Sequence, residues 1–176
     1  MSSLHRKIVA AALLTCFASA SWALAALEPQ LTEEQMRTFL LNAEVIKSRG
    51  TSKGITGVQR LTLSDGQITH EASFQSIDEY SSMKRFDDGR VEANFRDSYK
   101  YNIAAYELAK LLGLGDMMPV TVERKWRGKT GSMCWWLPSK LDEGIRQEKK
   151  IEAPEQEAWA KQYNKMLVFA ELVYDT

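Results

Sequence analysis

Apolar positions Met36, Phe39, Leu40, Ala43 and Ile46 recur at helical spacing near the start of the chain. They follow Thr32-Glu33-Glu34-Gln35, a capping box with Thr32 as N-cap and Gln35 at the third helical position. The pattern predicts a helix to about Lys47, stopped by Arg49-Gly50. Residues 50–57, GTSKGITG, then hold three glycines. A β-rich run with weak alternation, Val58 to Leu63, leads to Ser64-Asp65-Gly66, a hairpin turn signal. Ile68 to Ile77 returns as the second strand, so glycine lines the open end of this hairpin at residues 54–57. Asp87-Asp88-Gly89 reads as a polar connector.

Residues 97–112, DSYKYNIAAYELAKLL, carry the strongest helical pattern. Ile103, Ala104, Tyr106, Leu108, Leu111 and Leu112 give the apolar face, and Gly113 follows at the C′ position. The side around Ala105, Leu108 and Leu112 is expected to pack on a sheet. Pro119 opens a strand from Val120 to Trp126. Arg127-Gly128-Lys129 turns the chain, and Thr130 to Leu137 returns before Pro138-Ser139 breaks the strand. A charged helix is expected from about Lys140 to Lys149. A long helix follows Pro154, with Trp159, Tyr163, Met166, Leu167, Phe169, Ala170 and Val173 apolar. The chain shows no internal repeat. The order helix, hairpin, helix, hairpin, helices predicts an α+β fold: a small antiparallel sheet with packed helices.

The first 25 residues have a different character. Arg6 and Lys7 precede an uncharged, mostly apolar run from Ile8 to Leu24, and Ala23-Leu24-Ala25 fits a small-x-small cleavage site. Residues 1–25 read as a signal peptide, cleaved after Ala25, which places the mature protein in the periplasm or outside the cell. A membrane anchor retained across residues 8–24 is the alternative, short for a span of about 20 residues. A lipidated Cys16 would need a better residue than Thr15 before it.

Charge excludes one large class of function. Of 176 residues, 23 are Lys or Arg and 23 are Asp or Glu, and loss of Arg6 and Lys7 shifts the net charge from zero to −2. No nucleic-acid partner is expected, because such modules carry a basic excess. Two Cys and two His exclude zinc knuckles and disulfide scaffolds. After cleavage Cys134 and His70 are left, so a His-assisted nucleophile would depend on His70. No G-x-S-x-G pattern supports a hydrolase.

Local motifs add little alone. Gly128-Lys129-Thr130 looks like the end of a phosphate loop, but Glu123 stands where such a loop needs glycine, so a hairpin turn explains it better. Lys53-Gly54-Ile55-Thr56-Gly57 could bring backbone N–H groups close to a phosphate, or be a plain loop. Trp135 and Trp136 could wall an adenine slot, or be one core ring and one surface ring.

The segment Tyr101 to Arg124, YNIAAYELAKLLGLGDMMPVTVER, resembles the regulatory helix and following strand of an atypical kinase superfamily. Its members include phosphatidylinositol 3- and 4-kinases, HipA-type toxin kinases and secretory-pathway casein kinases. The chain is still more similar to uncharacterised exported bacterial proteins with this kinase-like core, through Trp159 to Tyr174. The resemblance spans residues 32–176 and implies a kinase N-lobe over residues 26–138. Residues 139–176 would begin a truncated, helical C-lobe.

It also implies roles. Lys53, Gly54 and Gly57 would belong to the loop over the nucleotide phosphates. Gln75 would stand where the family has its phosphate-contacting Lys, and Asn102 where it has the Glu that pairs with that Lys. Glu107, five residues on, lies about 140° round the helix and is no easy substitute. Residues 134–138, with Trp135 and Trp136, would form the hinge that meets adenine.

The full-length family uses ATP and magnesium, but its catalytic loop and metal-binding Asp would fall beyond Val173-Tyr174-Asp175-Thr176. The expectation is therefore a kinase-like lobe with no catalytic and no metal-binding residues, no cofactor of its own and no phosphoryl transfer. The alternative is an interaction or scaffold module without nucleotide chemistry. Either way, the apolar residues of helix 155–174, around Leu167, Phe169 and Val173, are expected at a surface covered by self-association or a partner chain. The substrate is not legible.

Overall fold

The computed structural model describes residues 31–51, 57–139, 141–153 and 155–173. Residues 1–30, with the expected signal peptide, and Lys53 and Gly54 lie outside the described residues. From Glu33 onward the chain forms one unit. It is an α+β fold with two antiparallel sheets, one of five strands and one of two.

Helix α1, Glu33–Asn42, starts directly after Thr32, where the capping box places it. It ends earlier than Lys47, because Glu44–Gly50 forms strand β1. Phe39, Leu40 and Ala43 are buried as the helical spacing implies, but Ile46 is 57% exposed. Ile46 sits where the register of β1 against β2 (Gln59–Ser64) shifts, between the pairs Val45–Leu63 and Lys47–Thr62. Its apparent helical spacing is a coincidence, since pairing with β2 satisfies the backbone there.

Strand β3, Thr69–Gln75, follows the expected turn. Asp65 Oδ1 accepts from the N–H groups of Gln67 and Ile68 at 2.9 and 2.7 Å. The strand stops at Gln75 and not at Ile77. Residues 78–98 then correct the reading of a polar connector. Asp78–Arg85 (β4) and Val91–Ser98 (β5) form a separate hairpin, and Asp87-Asp88-Gly89 is its turn. Helix α2 therefore begins at Lys100, not Asp97, and runs to Leu111. Only Tyr106 and Ala109 are buried on it, whereas Leu111 and Leu112 of the expected apolar face are exposed.

After the short 3-10 turn Gly115–Met117 come β6 (Thr121–Trp126) and β7 (Lys129–Trp135). Arg127 and Gly128 both have positive φ, 47° and 80°, as a tight two-residue hairpin turn requires. The Gly-Lys-Thr sequence is thus the turn and first residues of β7. Helices α3 (Glu143–Glu148) and α4 (Gln156–Leu172) close the described chain.

The large sheet has the order β1-β2-β3-β7-β6. One face buries Leu61, Leu63, Ala72, Phe74, Met133 and Trp135 with Phe39 and Leu40 of α1. A fully buried side chain of this size contributes roughly 1.5–3 kcal/mol. At Gly131 a Cβ would come within 2.3 Å of the Gln75 carbonyl oxygen, so glycine permits the close approach of β7 to β3. Arg124 seals the far end of α1: its Nη1 and Nη2 each donate, at 2.7 Å, to the carbonyls of Leu40 and Ala43. The opposite face of β3, β7 and β6 is smaller and more polar, and it carries the candidate site.

Candidate functional site

Alternation along the strands builds the site. In β3 and β7 the apolar residues Ala72, Phe74, Met133 and Trp135 point to the core, which sends Ser73, Gln75, Ser132 and Cys134 to the other side. Cross-strand pairing then aligns Ser73, Cys134 and Thr121 in one row and Gln75 with Ser132 in the next. These five residues floor a cleft of about 390 Å³. Met166, Phe169 and Ala170 of α4, with Val173 just past its end, line its other side. Val58, the first described residue after Gly57, lies on its edge.

Helix α2 contributes Asn102 and Ala105 to the wall. Asn102 Nδ2 donates to Gln75 Oε1 at 2.6 Å and to Ser132 Oγ at 3.0 Å. The two positions that the resemblance pairs are therefore in contact, as neutral amides. The helix is held at that height by a clamp to α1. Tyr106 donates its hydroxyl to Glu33 Oε1 at 2.8 Å, and Lys110 Nζ lies 2.8 Å from the same oxygen. Burial, with the Glu33 carboxylate beside it, pushes the Tyr106 hydroxyl up to about 12, while Lys110 and Tyr106 hold Glu33 below the usual carboxylate range. At the N-terminal end Tyr99 donates to Glu123 Oε2 at 3.1 Å.

The remaining expected site residues divide. Gly57, with φ of 69°, stands at the base of the β1–β2 connection, which the Thr51 N–H closes by donating to the Val58 carbonyl at 3.2 Å. The connection is thus anchored beside the cleft through Val58. The two indoles do not line the cleft. Trp135 is a core ring, stacked on His70 at 3.7 Å and edge-on to Phe39. Trp136 lies under the Arg60 guanidinium, 4.0 Å from the ring centre. His70 Nε2 meets the Trp136 carbonyl at 3.0 Å, which requires the proton on that nitrogen.

Ser132, Ser73 and Thr121 enter the site although no motif marks them, and Cys134, expected within the hinge 134–138, lies on the cleft floor. The signal available was small polar residues alternating with large apolar ones in β7. Ser132 and Thr121 are nearly fully buried, at 2% and 4% exposed, yet polar. Burial pushes the Cys134 thiol up, so it is uncharged at neutral pH. Among the described residues no three His, Cys, Asp or Glu side chains are grouped to hold a metal ion. Chemically, the arrangement is a half-open slot with an uncharged hydrogen-bonding floor and an apolar roof. Comparison with protein-family models, with curated proteins and with solved structures finds no match to this chain.

Proposed function

We propose that this protein is an exported, kinase-like nucleotide lobe in which a neutral amide pair replaces the strand-to-helix ion pair, and that the chain by itself does not transfer phosphoryl groups. The observation that carries the reading is the 2.6 Å bond from Asn102 to Gln75 in the wall of the cleft. The resemblance assigns one partner to a strand and the other to the regulatory helix, and these two residues meet. Val58, which directly follows Gly57, lines the same cleft, which supports the loop assignment.

Replacing a Lys–Glu pair by Gln and Asn removes the cation that would meet a phosphate. A lost charge-assisted contact costs about 1.5–3 kcal/mol, or one to two decades in affinity. Calorimetry with ATP and magnesium should therefore show no micromolar binding and no phosphate release by the purified chain. The double variant Gln75→Lys, Asn102→Glu should tighten binding by about tenfold or more. Micromolar binding by the unaltered chain, or no gain in the double variant, would overturn the reading.

Export rests on Arg6-Lys7, the apolar run and Ala23-Leu24-Ala25. The secreted protein should begin at Ala26 by intact-mass analysis; a cytosolic chain still carrying Leu4 to Ala25 contradicts it. Among the described residues no helix is long and apolar enough to cross a membrane.

A second reading, an interaction module, is favoured by one observation. Leu167, Val168 and Leu172 of α4 are 46%, 72% and 54% exposed. A partner chain or a second copy covering α4 would bury them.

A further inference from the structure

We infer that the cleft under α4 binds an uncharged small molecule with an apolar ring and a carboxamide-like edge, and that it discriminates against a carboxylate in the same place. The inference deepens the proposal above and rests on the cleft being a ligand site. Every side chain lining the cleft among the described residues is uncharged. The nearest chemistry on the floor consists of hydroxyls, amides and a thiol that burial keeps protonated.

The hydrogen-bonding valences define the edge. Asn102 spends both Nδ2 hydrogens, on Gln75 and on Ser132. Ser132 Oγ accepts from Asn102, so its own hydrogen is left to donate. Asn102 Oδ1 has no protein donor among the described residues. A donor and an acceptor thus sit on two bonded neighbours, the complement of a carbonyl beside an N–H. The roof, with Phe169 and Met166, suits a flat apolar body. Among the described residues no cation lines the cleft, and the nearest on this face of the sheet, Arg60 opposite Ser73, already spends its charge on Glu71; burying an unpaired charge is far more costly than burying a hydrogen-bonded amide.

Nicotinamide and nicotinate make a matched test, because they share one ring and differ in carboxamide against carboxylate. Ligand-observed NMR titration of the purified chain should show saturable nicotinamide binding. Nicotinate should bind at least about tenfold more weakly. Nicotinamide should also slow alkylation of Cys134 by iodoacetamide, followed by peptide mass spectrometry. Ser132→Ala should weaken nicotinamide about 2–10-fold, while Ser139→Ala, outside the cleft, should not. Cys134 protection in the unaltered chain keeps the test valid if Ser132→Ala fails to fold. Equal or tighter nicotinate binding, absence of nicotinamide binding at millimolar concentration, or binding without Cys134 protection would overturn the inference. Nicotinamide binding combined with no ATP gain in the Gln75→Lys, Asn102→Glu variant would sustain this ligand class and remove the kinase-like reading. The converse result would do the reverse.

Discussion

Glu71 shows how one carboxylate organises a polar surface beside the cleft. On β3 it accepts from Arg60, across β2, and from Arg49 of β1 at 3.2 Å. Arg60 in turn covers Trp136. The hydrogen bond from Arg60, with the charges of both arginines, holds Glu71 below its ordinary value of 4.5. Because the folded state lowers this pKa, its stabilisation is complete above the ordinary Glu range. It is lost as pH falls through that range and below it. The urea midpoint should therefore decline as pH is lowered through the ordinary Glu range. Glu71→Gln should flatten part of that decline, with Glu33, Asp65, Asp78, Asp88 and Glu143, also lowered, supplying the rest. A Glu71→Gln profile parallel to that of the unaltered protein would refute the assignment.

Elements are fixed to one another by a few long side chains. Arg124 is the clearest, since its guanidinium occupies the last carbonyls of α1 from the neighbouring strand β6. Helix C-termini leave carbonyls unpaired and attract cations. Hydrogen bonds to a charged group contribute about 1.5–3 kcal/mol. Arg124→Met should lower stability by about that amount in urea denaturation. The cleft should be spared, because Arg124 lies on the opposite face of the sheet. A loss below about 0.5 kcal/mol would show that solvent serves α1 equally well. The β4–β5 ribbon is held differently: Phe86 and Phe95 meet edge-on at 5.7 Å, and Lys84 lies 4.0 Å over Phe95. Lys100 joins the base of the ribbon to α2 through Asp78 at 2.8 Å.

At the scale of the whole molecule α4 is a long helix that, like the short α3, is not enclosed. None of its residues is buried. Phe169 and Val173 turn toward the cleft, so the exposed apolar surface lies at Leu167, Val168 and Leu172 instead. Arg146 of α3 lies over Trp159 of α4 at 4.5 Å. Exposed apolar stripes on a helix drive association. Sedimentation velocity should show the weight-average mass rising with protein concentration. The double variant Leu167→Glu, Val168→Lys should abolish the rise. A mass independent of concentration in the unaltered chain would argue against self-association through α4.

Much of this architecture is written locally. The turns at Asp65-Gly66 and Arg127-Gly128 depend on backbone preferences of two or three residues, and both are legible without neighbours. So are the start of α1 after Thr32 and the end of α2 at Gly113, and hence the α+β class. Other features are decided by partners far along the chain. Val45 to Lys47 fits a helix by spacing, and only pairing with β2 makes it a strand. The β4–β5 hairpin is obscured because charged and polar residues occupy both faces, leaving no alternation to read. In the site, Gln75 and Asn102 are meaningful from sequence only through a resemblance, and their bond requires β3 and α2 to meet. Ser132 and Thr121 look like surface residues until β7 is enclosed between β3 and β6 with the cleft face covered. Local torsional preference determines turns and helix ends, because its energy is set within a few residues. Strand pairing, burial and the uncharged cleft depend on which segments exclude water together, and that is settled only when the sheet closes.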